Sequence, residues 1–138
     1  MTPRLVIAAA FVLAAAAARA ESAHNLYLLH CSGCHGMDGL GSKAGRVPPF
    51  PGFLGPISRA KGGREYMVLV PGVANADLSD ADAASVLNYA MRAWAGEMAL
   101  PFTAAEIGAI RAKPIDDIAA ARASIAGDLR SRGVSIDY

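Results

Sequence analysis

The chain has 138 residues, of which 54% are apolar and 18% charged, with a formal net charge of +1. That length suits one domain, the apolar content excludes intrinsic disorder, and the near-neutral charge gives no electrostatic reason to expect nucleic acid. Much of the apolar excess sits at the front, where residues 5–18 (LVIAAAFVLAAAAA) form an uncharged run too short to span a bilayer, which takes about 20 residues. Arg4 precedes the run and Ala18-Arg19-Ala20 follows it in the small-x-small pattern of a cleavage site. Residues 1–20 are therefore expected to be a secretory signal peptide, cut after about Ala20. Its removal would leave 11 basic residues against 12 acidic ones and no membrane span in the mature chain.

The first element expected after the signal is a helix over residues 23–35 (AHNLYLLHCSGCH), with Ser22 as its N-cap. It carries both cysteines of the chain, in Cys31-Ser32-Gly33-Cys34-His35. A cytosolic C-x-x-C could be a redox dithiol or half of a zinc site. A closed zinc site would need His24 and His30 to join the cysteines from the same helix, and a thioredoxin-like site would need strands that no β-branched run supplies. C-x-x-C-H is the signature of covalent c-type haem attachment. Two thiols three residues apart project from one helical turn towards the two vinyl groups of a porphyrin, and the adjacent histidine supplies the proximal imidazole. Haem attachment in bacteria takes place outside the cytoplasm, so the motif and the export signal point the same way.

With these residues the sequence resembles the class I cytochromes c over most of the mature chain. The resemblance implies an all-α fold of helices and loops wrapped around one covalently bound haem, over residues 21–100. It implies that Cys31 and Cys34 hold haem c and that His35 ligates its iron. It also implies that Tyr27, four residues before Cys31, packs against the helix that closes the haem domain. Residues 36–73 contain nine glycines and five prolines, and a loop-rich wrap with no regular structure is expected there. In Gly45-Arg46-Val47-Pro48-Pro49-Phe50, the resemblance assigns Pro48 or Pro49 the carbonyl that accepts a hydrogen bond from the proximal imidazole.

Ser79 with Asp82 forms a capping box that opens the next helix, and Val86, Leu87, Ala90, Met91 and Trp94 follow at helical spacing. This segment looks like the last helix of the cytochrome domain, which crosses the first. The continuation, AGEMALPFTAAEIGAIRA, is similar to the tail of cytochrome domains associated with periplasmic alcohol and sugar dehydrogenases. Thr103 with Glu106 opens a short helix that ends near Lys113, because Pro114 follows. A last helix over residues 116–132 places Ile118, Ile125 and Leu129 on one face, and Gly133 can stop it. Residues 101–138 thus form a C-terminal helical extension, expected to pack on the same domain.

The sixth iron ligand departs from the family pattern. Electron-carrying members place a methionine in a Met-Pro pair before the closing helix, and here the residues are Val70-Pro71-Gly72. Met67 is the first candidate to replace it and Met98 the second, and an open or water-bound iron is the remaining reading. Met91 is expected in the core, and Met37 is too near His35 to reach the other face of a haem. The distal neighbours Val68, Leu69, Val70 and Val73 are apolar, and Arg64 and Tyr66 are expected to meet a haem propionate or solvent. A Met/His pair would raise the reduction potential and close the iron. The expected function is single-electron transfer in the periplasm by a protein that is not itself an enzyme. Its donor would be a periplasmic dehydrogenase and its acceptor another cytochrome or an oxidase of the respiratory chain. The alternative is a five-coordinate c-type haem protein that binds or senses a small gas.

Overall fold

The computed structural model describes residues 22–96 and 100–134; the expected signal peptide and Met98 lie outside them. The described chain is all-α. Its helices are α1 (Ala23–His30), α2 (Ser32–His35), α3 (Leu54–Arg59), α4 (Gly63–Leu69), α5 (Pro71–Ala74), α6 (Asp80–Trp94), α7 (Ala104–Arg111) and α8 (Ile118–Ser131). Among the described residues there is no strand, and Ser42 and Val47 form one isolated antiparallel bridge. No described helix is long and apolar enough to cross a membrane.

The expected helix over residues 23–35 is two helices. The Ser22 hydroxyl accepts from the Asn25 N–H at 3.2 Å and starts α1 as expected. At Cys31 the backbone leaves helical geometry, with φ −123° and ψ −39°. The Ser32 hydroxyl donates to the Leu28 carbonyl at 2.8 Å, occupying the acceptor that its own N–H would use in an uninterrupted helix. A new turn then starts on the Cys31 carbonyl, which accepts from the N–H groups of Cys34 and His35. The break re-aims the second half of the motif relative to the first.

Residues 36–73 also depart from expectation, since α3 and α4 lie within them and α5 begins there. Proline and glycine here stand where short helices tolerate or need them. Pro56 and Pro71 fall in the first turns of α3 and α5, whose N–H groups have no intrahelical partner. Val70, before a proline, is extended and forms the N-cap of α5. A Cβ on Gly63 would lie 1.8 Å from the Ile57 carbonyl oxygen, so this glycine lets α4 start against the end of α3.

The closing helix α6 follows its predicted pattern. Ser79 accepts from the Asp82 N–H, and Ala83, Val86, Leu87, Ala90 and Met91 are buried. Its inner face packs on α1, where Leu26 and Tyr27 are buried. Thr103 and Asp117 cap α7 and α8 through the N–H groups of Glu106 and Ala120. The extension packs on the preceding helices: α7 lies against α6 and α4, and α8 against α3 and α4. Ile107, Ile125 and Leu129 are its buried anchors, while Ile118 is only half-buried. Asn88 of α6 holds the segment between α6 and α7 by exchanging two 2.8 Å hydrogen bonds with the backbone of Phe102.

Candidate functional site

The two halves of the Cys31–His35 motif meet a cavity of about 360 Å³, within the size range of small-molecule and cofactor sites, roughly 300–1,000 Å³. Cys31, Cys34 and His35 line its wall, together with Pro48, Phe50, Met67 and Val70. Leu54, Ile57, Val86, Leu87 and Ala90 complete a largely apolar enclosure. Of the other polar side chains, His30, Arg46 and Tyr66 reach it.

His35 is held on two sides. Its Nδ1 lies 3.2 Å from the Pro48 carbonyl oxygen, and its ring stacks on Phe50 with centroids 4.0 Å apart. A carbonyl can only accept, so Nδ1 carries the proton and donates, leaving the lone pair on Nε2. Burial lowers the His35 pKa below the ordinary histidine value, against a smaller opposing effect of the Pro48 hydrogen bond. Burial thus favours the neutral ring, the form that can ligate a metal. The fit of the Pro48 carbonyl depends on Gly41, at φ +66°. A Cβ there would come within 2.4 Å of the Val47 oxygen and 2.6 Å of the Pro48 oxygen.

Cys31 is half-buried and Cys34 exposed, and both are free thiols. Burial, followed by the neighbouring Cys34, pushes the Cys31 thiol up to about 11. His24 lies against the Tyr89 ring, with centroids 5.6 Å apart. Among the described residues, no group of three or more His, Cys, Asp or Glu side chains is gathered as a metal site.

Behind the motif, Tyr27 is buried among Phe50, Tyr89 and Trp94, with the Trp94 centroid at 5.0 Å. Its hydroxyl donates to the Gly36 carbonyl, tying α1 to the residue that follows His35. Burial pushes its pKa up to about 12, with smaller contributions from Cys31, Tyr89 and Asp38.

The methionines separate clearly. Met67 is buried and lines the cavity, Met91 is buried in the core away from it, and Met37 is exposed. Val70 and Val73 line the cavity too, whereas Val68 and Leu69 do not; Val68 is fully buried in the core. Arg64 is a correction to the sequence reading. It lies neither at the cavity nor free in solvent, because Glu106 and the Leu100 carbonyl take its guanidinium. Phe50 and Gly41 were not anticipated as site residues. Their sequence signal was slight: Phe50 directly follows the proline pair, and Gly41 is one glycine among many.

No model of a known protein family matches the chain, and no curated protein matches it.

Proposed function

We propose that this chain is a monohaem c-type cytochrome of the class I fold, exported to the periplasm, that carries single electrons. The observation that carries the reading is the placing of Cys31, Cys34 and His35 on the wall of one apolar cavity, with His35 Nδ1 committed to the Pro48 carbonyl. The residues fit haem. Two thiols are available for thioether bonds, Nε2 is left as the iron ligand, and the enclosure is apolar enough to exclude water from a porphyrin.

When bound, haem would supply a one-electron Fe(III)/Fe(II) couple. The chain's own residues would set its properties. Cys31 and Cys34 would hold the group, His35 would ligate its iron, and the Pro48 carbonyl would orient the imidazole and raise its basicity. Met67 is the first candidate to supply a second iron ligand, because it lines the same cavity as His35. The donor in this reading is a periplasmic dehydrogenase, and the acceptor another cytochrome or an oxidase.

The test is an absorption spectrum of protein expressed in a periplasm that attaches haem, recorded oxidised and reduced. Covalent c-type bands are expected, together with the weak red charge-transfer band of methionine–ferric iron. Absence of haem would overturn the proposal. Val70 on the cavity wall favours a second reading, an iron left open to small gases. A high-spin ferric spectrum, with carbon monoxide binding to the reduced folded protein, would select it.

A further inference from the structure

Arg64 stands three residues before Met67 on α4, so the two side chains rise from neighbouring positions on the helix surface. The guanidinium is engaged entirely outside the cavity. Nε and Nη2 donate to the two carboxylate oxygens of Glu106, each at 2.6 Å, and Nη1 donates to the Leu100 carbonyl at 2.8 Å. Its Cζ lies 3.8 Å from the centroid of the Phe102 ring. All these partners belong to the segment after α6, which Asn88 fastens to α6 through the Phe102 backbone.

Helix α4 has seven residues, too few to be stable alone. Tertiary contacts must set its position against the cavity. Gly63 fixes its start against Ile57, and Val68 anchors its far turn in the core. The Arg64 fork is its charge-assisted tie to α7, and bidentate geometry restricts orientation as well as distance. Glu106 sits at the third position of α7, where a capping-box glutamate would turn back to its own N-cap; here its carboxylate goes to Arg64 instead.

We infer that the Arg64–Glu106 pair makes the C-terminal extension a brace for α4, and that Arg64 is a positioning residue holding Met67 at the cavity wall. The inference rests on the haem reading with Met67 as the second axial ligand. It gives residues 100–111 a role in tuning the iron, without contact with it.

The test uses the full chain with haem attached, carrying Arg64→Leu, Glu106→Gln, or the exchange Arg64→Glu with Glu106→Arg. Arg132→Leu, at the exposed pair with Asp128, is the control. Three quantities are read: the methionine–ferric band, the midpoint potential and the melting temperature. Losing a partly exposed ion pair of this kind corresponds to a shift of at most roughly fivefold towards released methionine. The band should therefore weaken and the potential fall in both single variants, recover in the exchange, and stay unchanged in the control. Glu106→Gln keeps the side-chain shape and serves if Arg64→Leu does not fold. A lowered melting temperature with an unchanged band would make the pair merely structural and overturn the inference. Haem bands without a methionine band in the parent protein would overturn it too, while leaving the cytochrome reading standing. Absence of haem would remove both.

Discussion

His35 Nδ1 and the carbonyl oxygen of Pro48, separated by 13 residues in sequence, are 3.2 Å apart, and Gly41 is the residue that permits the approach. The Gly41 N–H donates to the His35 carbonyl at 2.9 Å, so this glycine touches both ends of the relationship. Gly41→Ala should push the Pro48 carbonyl away from the imidazole, in addition to the cost of about 1–2 kcal/mol for an L-residue in the left-handed region. Gly52 is a matched control, at φ +78° with nothing within 4 Å of an added Cβ. Both variants should lose stability in a denaturant titration. Only Gly41→Ala should also shift the midpoint potential of the proposed haem-loaded protein, because a ligating imidazole without its acceptor would be less basic.

Met67 and Met91 are both buried, at 5% and 2% exposure, yet only Met67 lines the cavity. In the proposed haem-loaded protein, Met91→Ala is expected to cost about 2–5 kcal/mol as a core truncation and to leave the absorption spectrum unchanged. Met67→Ala should abolish the red methionine–ferric band and open the iron to carbon monoxide. The two absorption spectra, set beside the two unfolding curves, separate a ligand from a packing methionine.

The helices with strong local signals could be read from the sequence, and those determined by tertiary contact could not. Ser22, Ser79, Thr103 and Asp117 each cap a helix through their own side chains, and these starts depend on neighbours within three residues. The helices α3 to α5 were hidden because Gly55, Gly63, Pro56 and Pro71 read as loop formers. Gly63 serves instead for close packing on Ile57, and the two prolines for helix first turns, roles defined by neighbours in space or by where a helix begins. At the site, the contiguous Cys31–His35 motif carried its own signal, whereas the proline pair was tied to it only through the resemblance to class I cytochromes c. The destination of Arg64 could not be read, since its carboxylate partner lies 42 residues away.

Tyr27 joins the motif to the fold through its ring and its hydroxyl, and the two contributions can be measured separately. Tyr27→Phe keeps the packing on Trp94 and Tyr89 but loses the hydrogen bond to the Gly36 carbonyl. It leaves that carbonyl short of one donor and should cost about 0.5–1.5 kcal/mol. Tyr27→Ala also removes an aromatic side chain that is 1% exposed, and about 3–5 kcal/mol is expected. A cost for Tyr27→Phe as large as that for Tyr27→Ala would mean that the hydroxyl, rather than the ring, secures the turn after His35.

Glu106 gives the brace a dependence on pH whose sign follows from its partner. Its hydrogen bonds to Arg64 lower its pKa below the ordinary 4.5, against a smaller opposing effect of burial. A carboxyl with a lowered folded-state pKa binds fewer protons in the fold than in the unfolded chain. Its stabilisation is therefore complete above the ordinary value and is lost as the pH falls through the folded value. With side chains 22% and 31% exposed, the pair should be worth about 1 kcal/mol, near the top of the range for surface pairs because it is bidentate. At neutral pH, Glu106→Gln should melt below the parent protein, and the gap should close on acidification below about 4.5. No gap at neutral pH would mean that the glutamate's shape, and not its charge, ties α7 to α4.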